Sequence, residues 1–364
     1  MGDKMNRIFL LGALLVSSMA NAQYIGTLPP NGEFEFFYSK DSDKTYIRQS
    51  GVGASTESGI GVFLGESKFL GQNVVANGTV VQGTYVKVED DYEFHGKLGV
   101  RQLTHRTNLD NVGATLASTI ISKTPNLTDA DIRDIQTSAP QWAAENINAA
   151  GGNTSGTAQY IAAEGELRLT MTDSLTIGIN AATDVVQSEK SIQNGITFTA
   201  VGFDVDLQMT DHLGLVAVVS ETYFSDGNNR ITLKAKLNYE VLPEYGISVY
   251  YRLKEQRDMS PGLGNYYSPD QLTEHALGLA LRKPNSGLVY TAFIDYGSQR
   301  THTADGIDNK PIYTWQLGAQ TQPGKRYGTT FGTFITGSNT SAINSGAAGY
   351  RWLGFSSWIK VPLQ

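Results

Sequence analysis

The chain has 364 residues, 17% of them charged, with no cysteine and a formal net charge of -7 at pH 7. Without cysteine, neither a disulfide framework nor a thiolate zinc site is available. Because the chain is negative overall, composition argues against nucleic acid as a partner.

The first 22 residues have the pattern of a secretory signal peptide. Lys4 and Arg7 precede the apolar run 8–16, and small residues follow at 20–22. Nine apolar residues are too few to span a bilayer, since a spanning helix needs about 20. We therefore predict a signal peptide over 1–22 and a mature protein over 23–364.

The mature chain alternates apolar and polar residues with a period of two, which is typical of strands. In the segment EHALGLALR, large aliphatic residues such as Leu277 and Leu279 share one face, and Glu274 and Arg282 share the other. The same pattern recurs near 175–184, 203–209 and 231–239. Its repetition predicts about sixteen strands between residues 33 and 361.

The connections between the predicted strands differ in length from one end to the other. Those after even-numbered strands are short, whereas all long ones follow odd-numbered strands: 105–157, 256–271, 298–309 and 339–348. Alternation alone also fits a soluble sandwich, but short turns at one rim and long loops at the other are typical of outer-membrane barrels. We predict an all-β transmembrane antiparallel barrel in the outer membrane of a Gram-negative bacterium, with outer-membrane lipid around it.

The insert 105–157 has helical rather than strand spacing. Thr128 and Asp131 resemble a capping box, and Gly151 and Gly152 form a stop signal. We expect two or three short helices. Two placements are open: an extracellular decoration of the rim, or a cap folded over the pore.

The face opposite the aliphatic residues is expected to line the lumen. Acidic positions cluster on the predicted sixth to eighth strands, and basic positions on the tenth and eleventh. Either these two walls set a field that orients a hydroxyl-rich solute, or the charges pair with one another and hold the shape of the barrel. The lumen candidates are Glu164, Glu166, Arg168, Asp184, Asp204, Asp206, Arg230, Lys234, Lys236, Arg252, Lys254, Glu274 and Arg282.

The sequence does not favour an enzyme. None of the five histidines lies in a recognisable Ser, His, Asp setting, and only His95, beside Glu93 and Lys97, is a plausible base. No zinc spacing, phosphate loop or dinucleotide fingerprint is present. We predict no catalytic residue, no metal and no cofactor.

The segment NYYSPDQL, 265–272, is followed one hairpin later by YTAFIDYGSQ, 290–299. Over roughly 245–300 the chain resembles the C-terminal barrel of exopolysaccharide export proteins, namely the cellulose export outer-membrane protein and its relatives for poly-N-acetylglucosamine. The resemblance implies a barrel that translocates a secreted exopolysaccharide. It also implies an exit loop, whose candidates for stacking or packing are Tyr266, Tyr267, Ser268 and Pro269.

One feature of those exporters is not expected here. They carry tetratricopeptide repeats before the barrel, whereas only residues 23–32 separate the predicted signal peptide from the first predicted strand. The expectation is a bare barrel with a separate periplasmic scaffold protein as a possible partner. A general or solute-selective porin for small hydrophilic molecules, and an adhesin or structural barrel, remain open alternatives.

Overall fold

The computed structural model describes residues 31–42, 44–149, 152–321, 329–340 and 351–363. Sixteen antiparallel strands form one closed barrel in which each strand pairs with its neighbours in sequence and the first pairs with the last. The predicted fold class is therefore confirmed. The predicted signal peptide, 1–22, lies outside the described residues.

Strand lengths vary around the barrel, and the longest strands extend beyond the rest at one end. In chain order the strands are β1 (Asn31–Asp41), β2 (Tyr46–Ser55), β3 (Ile60–Leu70), β4 (Val74–Val88), β5 (Tyr92–Thr107), β6 (Ser155–Thr172), β7 (Leu175–Val185), β8 (Thr197–Gln208), β9 (Leu213–Phe224), β10 (Asn229–Leu242), β11 (Ile247–Asp258), β12 (Gln271–Asn285), β13 (Leu288–Thr303), β14 (Gly306–Thr321), β15 (Thr330–Ser338) and β16 (Trp352–Pro362).

The two ends of the barrel differ as the sequence predicted. The described connections after even-numbered strands are short turns such as 173–174 and 286–287, and β1 begins and β16 ends at this same end, which we call the turn rim. The opposite end, the loop rim, carries the long connections 108–154 and 259–270. In outer-membrane barrels, short turns are typical of the periplasmic end and long loops of the extracellular end.

The prediction of a long connection over 298–309 is wrong. β13 and β14 run through this segment and pair there, with Gln299 opposite Lys310 and Thr301 opposite Asp308. At this end of a barrel, strands extend past the apolar belt into water, where both faces tolerate polar residues. The alternation that marks a strand disappears there, so the polar sequence was interpreted as a loop.

The insert between β5 and β6 contains two helices, α1 (Leu109–Lys123) and α2 (Asp129–Ala149), which confirms a partly helical insert. The Asp131 carboxylate accepts hydrogen bonds from Thr128 N–H (2.9 Å) and from its hydroxyl (2.6 Å), which lower the pKa of Asp131. The helices pack through small residues, because a side chain at Gly113 would collide with the backbone of Pro140. No described helix is long and apolar enough to cross a membrane.

Large aliphatic side chains cover the outside of the barrel. Leu277 is 69% exposed, Leu98 66% and Ile161 63%, and each lies on the outward face of its strand. A soluble protein does not expose a continuous apolar surface of this kind. The exterior is therefore the surface that a membrane-spanning barrel presents to lipid.

Candidate functional site

The barrel encloses a cavity of about 480 Å³. Its walls reach from Asp41 and Trp352 near the loop rim to Glu35 and Tyr250 further inside. Strands contribute alternate residues to this wall because successive side chains point to opposite faces of a sheet. The inward face is consequently rich in polar groups, in contrast to the outward face.

The structure places eight of the thirteen lumen candidates in the cavity wall and five elsewhere. The eight are Glu164, Asp184, Arg230, Lys234, Lys236, Arg252, Lys254 and Glu274. The other five are inside the barrel or at its end, closer to the turn rim, and the described cavity wall does not include them: Glu166, Arg168, Asp204, Asp206 and Arg282.

An ion pair that sequence reasoning missed ties β5 to β7. Arg101 makes a bidentate contact with Asp184, with N–O distances of 2.8 Å and 2.8 Å, and also donates to Ser67 on β3 (3.2 Å). The side chains meet across β6, on which Tyr160 lies opposite Arg101 and the small Ala162 is buried. The sequence did contain a signal for an inward Arg101, because this residue lies four positions after Lys97 on the same strand and therefore on the same face.

Lys97 joins three more strands. Its Nζ lies 3.7 Å from Glu35 on β1 and 3.6 Å from Glu164 on β6, and 4.4 Å from the centroid of the Phe63 ring on β3. Both carboxylates that face this lysine thus have a cation close by. These contacts link β5 to β1, β3 and β6, and they hold the lysine charge next to carboxylates of the barrel wall.

A second group of charges fills the interior near the turn rim. Arg168 pairs with Asp204 at 3.3 Å and with Glu166 at 3.5 Å, and Asn180 donates to Asp204 (3.4 Å). His95 contacts Glu93 at the same end of the barrel and lies outside the described cavity wall.

The inner face of β10 to β13 carries the basic cluster. Arg252 makes two contacts of 3.1 Å with Asp295 and one of 3.0 Å with Glu274, whereas Lys254 lies 3.7 Å from Glu274. Lys236 instead places its Nζ 3.9 Å from the centroid of the Tyr250 ring. Arg252 and Lys254 therefore pair with carboxylates along the wall, whereas Lys236 contacts an aromatic ring.

The inner face of β14 to β16 is different, because its contribution to the cavity wall is uncharged. It consists of aromatic rings, hydroxyls and an amide: Thr314, Gln316, Phe334, Thr336, Ser338, Trp352, Ser356 and Trp358. Strands eight apart in a sixteen-strand barrel lie opposite each other, so this neutral arc faces β6 to β8. The basic cluster lies between the two.

The exit-loop candidates are packed into the loop rim. Tyr266 stacks on Phe224, with centroids 4.3 Å apart, and its hydroxyl donates to Asp226 (3.1 Å). Burial raises the pKa of Tyr266 well above its ordinary value. Ser268 and Pro269 are also buried, and only Tyr267 of the four reaches the cavity wall.

A short helix that the sequence reasoning missed, α3 (Glu189–Asn194), lies in the connection between β7 and β8. Ile192 is buried in an apolar cluster with inward residues of five strands: Ile47, Phe69, Val74, Ala76, Leu103 and Val185. The Ser191 hydroxyl donates to the carbonyl of Asn265 in the 259–270 loop (3.0 Å). α3 therefore lies against inward residues of the barrel wall and against the 259–270 loop. Its sequence signals were the cap Ser188 and the left-handed Gly195, φ 66°.

The helical hairpin does not contribute to the cavity wall. Among the described lining residues, none belongs to α1 or α2. The Asn111 side chain instead donates to the Gln72 carbonyl in the β3–β4 turn (2.9 Å) and fixes the base of the hairpin there.

Comparison with known proteins gives matches at the level of structure. No family model matches the chain, and no curated protein matches it. A bacterial polysaccharide outer membrane secretin superposes with a TM-score of 0.57 over 92% of this chain and 99% of that chain, at 9% identity. The chain is an outer-membrane β-barrel of a Gram-negative bacterium.

Other solved barrels superpose less well. CdiB from Acinetobacter baumannii gives a TM-score of 0.48 and 10% identity over 91% of this chain and 60% of that one. The CymD monoaromatic hydrocarbon channel gives 0.40 and 10% identity over 92% and 88%. At these identities the likeness concerns the fold alone.

Proposed function

We propose that the barrel is a passive outer-membrane channel for hydrophilic solutes, and that its cargo is a secreted polysaccharide. The observation that carries the proposal is the composition of the cavity wall. Trp352, Trp358 and Phe334 stand among hydroxyls and amides on the neutral arc. Sugar rings present C–H faces that pack on aromatic rings and hydroxyls that exchange hydrogen bonds with such groups.

The ion pairs of β5 to β8 are consistent with a passive conduit. Arg101 neutralises Asp184, and Lys97 neutralises Glu164, so this wall holds its shape without a strong attraction for a passing polymer. Movement through a channel requires binding that is weak and repeated along the path. The barrel itself would perform no chemistry, and a separate periplasmic scaffold protein would hand the polymer to it.

The polysaccharide outer membrane secretin shares this architecture over nearly all of both chains. The proposal extends the cargo in its name to the present barrel. The resemblance of NYYSPDQL and YTAFIDYGSQ to exopolysaccharide exporters points to the same class of solute.

The proposal is tested by measuring polysaccharide in a deletion strain, separately in the medium and in the periplasm. We expect loss from the medium and retention in the periplasm, with recovery on expression of the wild-type chain. In a parallel experiment, the deletion strain expresses the double variant Trp352→Ala with Phe334→Ala. We expect this variant to slow secretion without removing the barrel from the membrane. Unchanged polysaccharide in both compartments would contradict export.

A solute-selective porin is the second candidate, and the inward position of α3 favours it. Ile192 holds this helix against the inner wall, and the enclosed cavity of about 480 Å³ suits a small solute. Liposome swelling distinguishes the two. A porin admits small sugars at rates that fall with their size, whereas an export channel in isolation should admit them slowly.

A further inference from the structure

On β2 to β6, the apolar belt on the outside of the barrel ends in a continuous row of exposed side chains. Each member lies directly opposite the next on the neighbouring strand: Val52, Leu64, Val81, Val100 and Ile161. On every one of these strands, the next outward residue toward the loop rim is polar: Ser50, Glu66, Thr79, Gln102 and Gln159. The lipid-facing surface therefore ends at one level along five neighbouring strands.

Basic side chains follow beyond this boundary. Arg48 on β2 and Lys68 on β3 lie directly opposite each other, four residues past the apolar row on their strands. At about 3.3 Å per residue and a strand tilt of roughly 40°, they lie about 10 Å above that row. Lys40 on β1 and Arg106 on β5 lie one outward position nearer to the loop rim. This height is that of the polar headgroups that flank the hydrocarbon core.

The four cations outnumber the acidic groups around them. Along the outward positions of β1 to β6, from the polar row to the loop rim, Glu66 is the one acidic residue, and it pairs with Arg48 (3.1 Å). Among the described residues, no carboxylate oxygen lies within 4.0 Å of Lys68 or Arg106. Like charges directly opposite each other destabilise an antiparallel pair, so Lys68 beside Arg48 costs stability unless an anion is bound.

The opposite side of the barrel has a different charge balance. On the outward face of β9 to β13 near the loop rim, two carboxylates accompany two guanidinium groups: Glu221, Glu255, Arg257 and Arg300. β3 and β11 are eight strands apart and therefore lie on opposite sides of the barrel. The excess of positive charge belongs to one sector, which we call the basic sector and define by Lys40, Arg48, Lys68 and Arg106.

We propose that the basic sector binds the phosphate groups of the glycolipid in the outer leaflet of the outer membrane. Ammonium and guanidinium groups make strong, charge-assisted hydrogen bonds with phosphate oxygens. Lys68 and Arg106 are two strands apart, about 10 Å across the sheet, so one headgroup with two phosphates can contact both. Its acyl chains then pack on the apolar row below. With the loop rim outside the cell, the outer-leaflet headgroups lie at this level.

The test uses the purified barrel in detergent, with bound lipid counted by native mass spectrometry. The probes are lipid A with both phosphates, the same lipid after removal of its phosphates, and phosphatidylglycerol. We expect half-saturation by lipid A at a concentration about tenfold lower than for either of the other two lipids.

The decisive variant is Lys68→Gln with Arg106→Gln. It should lose the preference for lipid A, because two cations no longer face the phosphates. Arg257→Gln with Arg300→Gln is the matched control, since it removes the same charge from exposed, outward positions at the same end of the barrel. The control should keep the wild-type preference.

Four results would overturn the inference. A preference for lipid A that survives in the Lys68 and Arg106 variant would remove the basic sector as the site, and an equal loss in the control would remove its location. Equal affinity for phosphatidylglycerol and lipid A would exclude the glycolipid as the specific occupant. Without lipid, the melting temperature of the variant should stay equal or rise, because a like-charged pair is relieved. A fall in that temperature together with loss of binding would assign these residues a structural role only.

None of these measurements depends on a solute in the lumen. A negative result for the basic sector therefore leaves the proposed channel function standing.

Discussion

Two regions of the interior both carry charged side chains but arrange them differently. On β5 to β8, Asp184 and Asp204 each have an arginine from a nearby strand as partner. On β10 and β11, cation faces cation across the strand pair, and the ammonium of Lys236 lies over the ring of Tyr250. Residue types along one strand therefore do not reveal whether a charge braces the barrel or serves a solute. The residues on the neighbouring strands decide it.

The largest expected effect concerns the orientation of the barrel. An epitope inserted between α1 and α2, at 124–127, should be labelled by antibody on intact cells, since the loop rim faces outward. An epitope in the 173–174 turn is the matched control and should require lysis. If only the control epitope were labelled on intact cells, the barrel would have the opposite orientation in the membrane.

Removal of one partner of a bracing pair should cost much stability. Arg101→Leu leaves Asp184 partly buried without its cation, and we expect a loss of about 3 kcal/mol in the free energy of unfolding. Arg48→Leu, which breaks the exposed pair with Glu66, should cost at most about 1 kcal/mol. Urea unfolding in detergent measures both.

The double variant Arg101→Leu with Asp184→Leu sharpens that comparison. Because it removes both charges, it should recover much of the loss. Equal, small effects of Arg101→Leu and Arg48→Leu would show that the interior pair does not brace the wall.

The sequence was sufficient for the parts of the fold that depend on period alone. Leu277 and Leu279 point outward and Glu274 inward as alternation predicted. It was not sufficient for contacts that depend on register between distant strands, such as Arg101 with Asp184, or for β13 and β14 beyond the apolar belt. α3 was missed because its buried residue, Ile192, contacts strands far away in the chain.

Loss of the packed tyrosine should loosen the loop rim. Tyr266→Ala removes the stack on Phe224 and the hydrogen bond to Asp226, so protease should cut 259–270 in reconstituted barrels several-fold faster while the barrel stays closed. Tyr245→Ala, at an exposed position of the turn rim, is the control. Unchanged cleavage in Tyr266→Ala would contradict the packing role.

The smallest effect is expected at the helical hairpin. The folded pKa of Asp131 is lowered, so its carboxylate stabilises α2 above the ordinary aspartate pKa of about 3.9, and this contribution is lost as pH falls through the lower folded value. Amide exchange at the start of α2 should stay constant from pH 7 to about pH 5 after correction for intrinsic rates. Asp131→Asn should speed amide exchange there at all of these pH values. Equal protection of these amides in the variant and the wild type would contradict the capping role of Asp131.

The most direct test of the contrast between the two regions is the reversal potential under a KCl gradient in planar bilayers. Lys234→Gln with Lys236→Gln removes two positive charges, whereas Arg101→Gln with Asp184→Asn removes one charge of each sign. We predict a conducting wild-type barrel, a shift toward cation selectivity in the lysine variant and no shift in the other. Identical reversal potentials in all three would show that neither lysine faces the conducting path, and absence of conductance would contradict the channel itself.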